Sequence, residues 1–192
     1  MKKDIKKQIK DVVKDLVKIK DYDSITIREI CKESKIGLGS FYNHFKDKDD
    51  IILSAIIDGV DYTDKEIRTL LTANTGYENL KIYLEQQCYL YKKVEIKWLK
   101  EIFKSYLYRK TDFILDRSGV NYQLIQSIVK EGQADNTIRK DIATDTLAWI
   151  ILKLIIGNGF SYCMEEGNFD LEKATIDEVL IVAQANFWIK IV

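Results

Sequence analysis

Apolar residues return at spacings of three and four along most of this chain, and they do so first at Ile5, Ile9, Val12, Val13, Leu16, Val17 and Ile19. That spacing predicts a helix over 4–20 with one buried stripe and a lysine-rich outer face. Asp21 to Ser24 interrupt it. Thr26-Ile27-Arg28-Glu29 then has the form of a capping box, in which a hydroxyl takes an orphan backbone N–H and the glutamate reaches back, so a short helix over 27–33 follows. Ser34 to Gly37 form a tight connection, and Leu38 to Phe45 leave room for two helical turns. Asp47, with Asp50 three residues on, is a candidate N-cap for a longer helix over about 48–72, with Ile51, Ile52, Ala55, Ile56 and Val60 facing inward. The run TANTG at 72–76 ends it. Further helical patterns cover 77–93, 95–109, 120–133, 144–165 and 172–191, separated by Ser118-Gly119, Asp135-Asn136 and Glu166-Gly167-Asn168. There is no internal repeat and no low-complexity linker. The reading is all-α with about nine helices: a three-helix head over 1–47 and a helical body over 48–192, joined by a continuous helix.

Composition agrees with that class. The 192 residues include no proline and only nine glycines, so the turn punctuation of sandwiches and barrels is missing. Thirty basic residues balance thirty acidic ones, and an argument for nucleic-acid binding therefore cannot rest on bulk charge. Residues 1–50 carry 13 Lys+Arg and 10 Asp+Glu, a mild local excess of +3. Cys31, Cys88 and Cys163 are odd in number and far apart, and the chain has one histidine, which argues against a disulfide framework and a zinc site. No cofactor or metal is expected. The start, MKKDIKKQIKDVVKDL, is too often charged for a signal peptide. The most apolar stretch, Leu147 to Ile156, is shorter than the roughly 18–20 residues of a membrane helix and contains Lys153. These features lead us to expect a soluble cytoplasmic protein with no membrane partner.

The candidate chemistry lies in residues 34–50, SKIGLGSFYNHFKDKDD, where two phenylalanines, a tyrosine and His44 stand beside lysines. Two short helices joined by a four-residue turn and braced by a third make a helix-turn-helix whose second helix can enter a major groove. Gly37 and Gly39 remove bulk where the backbone must come close to something. Phe41 and Phe45 can pin the short helix while Tyr42 faces out. Leu38, Ser40 and Asn43 are the candidates for base contact, and Tyr42, His44 and Lys48 offer donors to phosphates. His44 has no nucleophile and carboxylate around it in the pattern, so a catalytic role is not expected.

The segment ITIREICKESKIGLGSFYNHFKDKDDIILSAI resembles the DNA-binding head of TetR-family transcriptional regulators, with Gly39, Ser40, Phe41, Tyr42, His44, Phe45, Lys48 and Ile51 on the family's positions in unbroken order. EGQADNTIRKDIATDTLAWIILKLIIGNG resembles the weaker pattern that opens the penultimate helix of the family's body. The resemblance implies phosphate contacts from Thr26, Tyr42 and Lys48, with His44 at the DNA face. Two departures stand out. Lys35 occupies a turn position where glycine would most easily take a left-handed backbone, at a cost of roughly 1 kcal/mol, and Gly37 replaces a capping serine.

In the body, Tyr83, Gln87, Cys88 and Tyr91 share one helix face, and Trp98, Ile102, Phe103 and Tyr106 share the next. Ordinary core is one reading. The resemblance implies another, a central cavity flanked by Tyr83, Gln87, Tyr91, Trp98, Phe103, Tyr106, Tyr122 and Ile125 that takes an aromatic or lipophilic effector. The last two helices are apolar on more than one stripe, which calls for a cover. A two-fold four-helix interface would supply it through Trp149, Leu152, Ile156, Phe160, Val179, Ala183 and Phe187. The expectation is a homodimeric, ligand-responsive regulator of a palindromic double-stranded DNA operator, most simply a repressor. The alternative is a DNA-bound helical adaptor or co-activator governed by a protein partner. No glycine-rich phosphate loop, metal cluster or nucleophile signature points to an enzyme.

Overall fold

The structure, a computed structural model, describes residues 4–108 and 115–184, and the regular elements within them are helical. Helix α1 (Ile5–Ile19) is capped by Asp4, whose carboxylate accepts the Lys7 N–H at 3.1 Å, and it buries Ile9, Val13, Leu16 and Val17. Its outer face is lysine-rich with one exception. Lys10 is buried and paired with Asp58, a partner that the helical pattern alone does not reveal. A 3-10 turn at Tyr22–Ser24 replaces the expected interruption. Helix α2 (Ile27–Glu33) starts at Thr26, whose Oγ1 accepts the Glu29 N–H at 3.2 Å. The other half of the box is present electrostatically: Lys20 and, more weakly, the Thr26 N–H hold the Glu29 carboxyl below its ordinary range.

Helix α3 (Leu38–Tyr42) is shorter than the two turns expected, although Phe45 N–H still bonds the Phe41 carbonyl at 3.0 Å. Helix α4 (Asp49–Tyr62) opens on a reciprocal cap. Asp47 Oδ1 accepts the Asp50 N–H at 2.8 Å, and Asp50 Oδ2 accepts the Lys46 N–H at 3.0 Å. The continuous helix expected to 72 is instead broken by a π-helical turn at Thr63–Ile67 before a last piece, α5 (Arg68–Leu70). Thr63 is buried inside that turn, where its Oγ1 accepts from Gln87 Nε2 at 3.3 Å. The remaining helices are α6 (Gly76–Lys93), α7 (Ile96–Tyr108), α8 (Val120–Ala134), α9 (Thr144–Met164) and α10 (Leu171–Ala183). Three non-glycine residues with positive φ, Lys35, Asn136 and Glu166, sit in the breaks that the sequence marks.

The described residues divide into two compact units. The first holds residues up to Gly59 together with Val94–Tyr108, and the second holds Val60–Lys93 and the residues from 115 onward. The division differs from a boundary at 47/48 in two ways: α4 contributes Ile51, Ile52 and Ile56 to the first unit's core, and α7 contributes Trp98. A head of some 46 residues is too small to bury a sufficient core alone, and these two helices complete it. Trp98 is 1 % exposed and meets the Tyr22 ring edge-on at 6.1 Å.

The second unit is built around α9, with Leu147, Ala148, Ile151, Leu152 and Ile155 buried against α6, α8 and α10. The helix is 21 residues long, well beyond the stretch 147–156, and by length and composition it could cross a membrane. Here its apolar residues supply the core. Within the same unit, α6 and α8 meet through Gly76 and Gly132 so closely that a Cβ on Gly76 would lie 2.1 Å from the Gly132 nitrogen. Asp135 seals the contact by accepting the Gly76 N–H at 2.7 Å.

Candidate nucleic-acid interface

Phe41 and Phe45 are 0 % and 1 % exposed, and their rings stand 6.0 Å apart in the first unit's core. They fix the roll of α3. With Phe41 turned inward, helical geometry turns Leu38, Gly39, Tyr42 and Asn43 outward, and all four are exposed. Ser40 and His44 lie at the margin, half-buried. The exposed side chains include two large ones, Leu38 at 45 % and Tyr42 at 53 %. Water is a poor neighbour for such a face.

The glycines bear on the same question. A Cβ on Gly39 or on Gly37 would meet nothing within 4 Å, and neither residue has a positive φ. The protein's own packing thus gives no reason for a glycine inside α3, where it costs about 1 kcal/mol relative to alanine. An approaching external surface does.

Thr26 is exposed at the start of α2. Its Oγ1 accepts the cap bond from Glu29, which leaves the hydroxyl proton for a phosphate oxygen. Lys48 is placed differently. Its Nζ donates to the carbonyls of Tyr22 at 2.7 Å, Asp23 at 3.3 Å and Ile25 at 3.0 Å, and lies 4.5 Å from the Tyr22 ring centroid. The Tyr22 hydroxyl donates back to the Lys48 carbonyl at 2.5 Å. All three ammonium protons are engaged, so in this arrangement Lys48 ties the 3-10 turn to the start of α4 and offers a phosphate its charge rather than a proton. The pattern of residues contained Lys48 but not this role, because the three carbonyls come together only in the folded head. Arg28, exposed on α2, is a candidate contact that the sequence reading passed over. Its position two residues after the Thr26 cap was the available signal. On α1, Lys6 is exposed and its Nζ stands 5.7 Å from the Phe45 ring centroid. Lys2 and Lys3 lie outside the described residues.

Residues 14–55 match the family model of bacterial regulatory proteins of the tetR family. The chain carries a tetR-family DNA-binding head. Solved structures are similar over nearly the whole length. A TetR-family transcriptional regulator from Pectobacterium atrosepticum is 14 % identical with a TM-score of 0.72, covering 92 % of this chain and 91 % of that one. The fatty acid degradation regulator FadR from Bacillus halodurans is 16 % identical with a TM-score of 0.69 over 95 % and 96 %. FadR from Bacillus subtilis, in complex with stearoyl-CoA, is 17 % identical with a TM-score of 0.61 over 92 % and 96 %. At such identities the likeness is one of fold. None of the curated proteins matches.

Behind the tetR-family head, the residues expected around an effector fall into both units. Trp98 belongs to the first unit's core and Tyr106 packs against it, while Phe103 is buried on α7 at 6.0 Å from the Tyr106 ring. Tyr83, Tyr122 and Ile125 belong to the second unit's core, at most 4 % exposed, and Tyr91 packs against it. Tyr83 donates to Asn121 Oδ1 at 3.1 Å, and Gln87 is buried on Thr63. Burial drives the Tyr83 phenol far above its ordinary range. Of the residues expected between protomers, Leu152, Val179 and Ala183 are at most 4 % exposed inside the unit's own core and have no surface to share. Trp149 and Ile156 are half-buried and Phe160 is 43 % exposed on α9. Phe187 lies outside the described residues.

Proposed function

We propose that this protein is a ligand-responsive transcriptional regulator that binds a palindromic operator as a homodimer in the cytoplasm and is released from it by a small-molecule effector. The observation that carries this reading is the outward face of α3, where exposed Leu38, Tyr42 and Asn43 surround a glycine that the protein's own packing does not require. Each head places α3 in one major groove, and the pairing of two chains sets the half-site spacing. The outer faces of α9 and α10, with Ile156 half-buried and Ile181 48 % exposed, supply the apolar surface for that pairing. An effector with higher affinity for a DNA-incompetent conformation shifts the population and empties the operator.

The test is selection of genomic fragments on the purified protein at near-physiological salt, beside a Tyr42→Ala/Asn43→Ala variant. The wild type is expected to enrich an inverted repeat that the variant does not. Enrichment of no sequence at any of several salt concentrations sinks the reading. A second reading, a DNA-bound adaptor governed by a protein partner, is favoured by one observation: Tyr83, Tyr122 and Ile125 are packed as core. Release of the operator fragment by small molecules separates the two, and the panel starts with acyl-CoA thioesters because one similar structure holds stearoyl-CoA. Release by a compound in that panel supports the effector.

A further inference from the structure

The residues on α3 also limit which bases it can read. Between Ile36 and Phe45 there is no arginine or lysine, and between Ser34 and Lys46 there is no aspartate or glutamate. Guanine is read in the major groove chiefly by a guanidinium or ammonium on its O6 and N7, and cytosine by a carboxylate on its N4 amino group. Neither chemistry is available on the face formed by Leu38, Gly39, Tyr42 and Asn43. What is available suits the other pair. A carboxamide such as that of Asn43 matches the N6 donor and N7 acceptor of adenine, and an apolar side chain matches the C5-methyl of thymine.

Leu38 is the informative residue. It is 45 % exposed at the first position of α3, beside a glycine whose Cβ would meet nothing, so the apolar group stands on a part of the helix that the protein's own packing leaves open. Ser40 and His44 can serve either pair and do not decide the matter. The cations nearest in sequence, Lys35 and Lys46, flank the helix, and Arg28 is on α2. The limit therefore applies to the base pairs facing α3 and not to those at its edges.

We infer that the operator half-site has an A·T core at the base pairs facing α3, with Leu38 packed on a thymine methyl and Asn43 paired with an adenine. This rests on the DNA-reading role proposed above. The experiment selects binding sites for the full-length protein from a random duplex library and locates the pairs contacted by α3 by base-removal interference. Each thymine in that core is then replaced by uracil, which deletes only the methyl group. The expected result is an inverted repeat with A·T pairs at the contacted positions. At one thymine per half-site, uracil should weaken binding by roughly fivefold or more, and Leu38→Ala should abolish that difference. An inverted repeat with G·C pairs at the contacted positions overturns the inference and leaves the regulator standing. An A·T core indifferent to uracil also overturns it. Recovery of no sequence overturns both.

Discussion

Lys35 holds a φ of 53° at the turn between α2 and α3, a left-handed backbone in which a side chain with a Cβ is strained by about 1 kcal/mol. The resemblance to the tetR-family turn made the strain legible, because a lysine stands where glycine most easily takes a left-handed backbone. Lys35→Gly is expected to raise stability by about 0.5–1 kcal/mol in urea titration. A fall would mean that the lysine side chain makes a contact worth more than the strain. Cys88 shows the opposite legibility. Its face, shared with Tyr83, Gln87 and Tyr91, left core and cavity wall both open, and only the tertiary structure buries it enough to push the thiol up to about 11. The unfolded thiol ionises near 8.5. Stability from this group is therefore whole below that pH and declines as pH rises toward about 11. Wild type should lose more stability than Cys88→Ala between pH 8 and pH 10.5, and equal losses would show that the thiolate is not excluded from the fold.

Among the elements, the caps were the most readable features, since Thr26 and Asp47 act on N–H groups three residues away and need no distant partner. The roll of α3 was readable as well, because two phenylalanines four residues apart define its inner side. Its glycines then yield a prediction of opposite signs. Gly39→Ala should stabilise the fold by about 0.5–1 kcal/mol through helix propensity, as nothing lies within 4 Å of the new Cβ. The same methyl should weaken binding to the selected operator, measured by fluorescence anisotropy. Unchanged affinity would show that DNA does not approach the helix at that residue. The π-turn at Thr63–Ile67 was not readable. It places Thr63 where Gln87 of α6 can donate to it, and local periodicity carries no information about a residue 24 positions away.

For the whole molecule, the assignment of α7 to the head is the largest difference between pattern and structure. Trp98, Phe103 and Tyr106 read equally well as the wall of a cavity, and the packing of α7 on α1, with Trp98 against Tyr22, identifies Trp98 as head core. Trp98→Ala is expected to destabilise the first unit by about 3–5 kcal/mol. Operator binding should be lost with the fold, which far-UV circular dichroism beside the binding assay would show. Loss of binding with the fold intact would instead place Trp98 in signalling.

The sequence by itself determined the helical class, most of the helix starts, the inward phenylalanines and the outward face of α3, because each depends on residues within a turn or two of one another. Only the tertiary structure decided that Lys48 spends its protons on three carbonyls, that Lys10 is buried against Asp58, that α7 belongs to the head, and that Leu152, Val179 and Ala183 face the unit's own core. Those outcomes depend on which distant elements meet. An amphipathic stripe states that a face will be covered, and it is silent on what covers it.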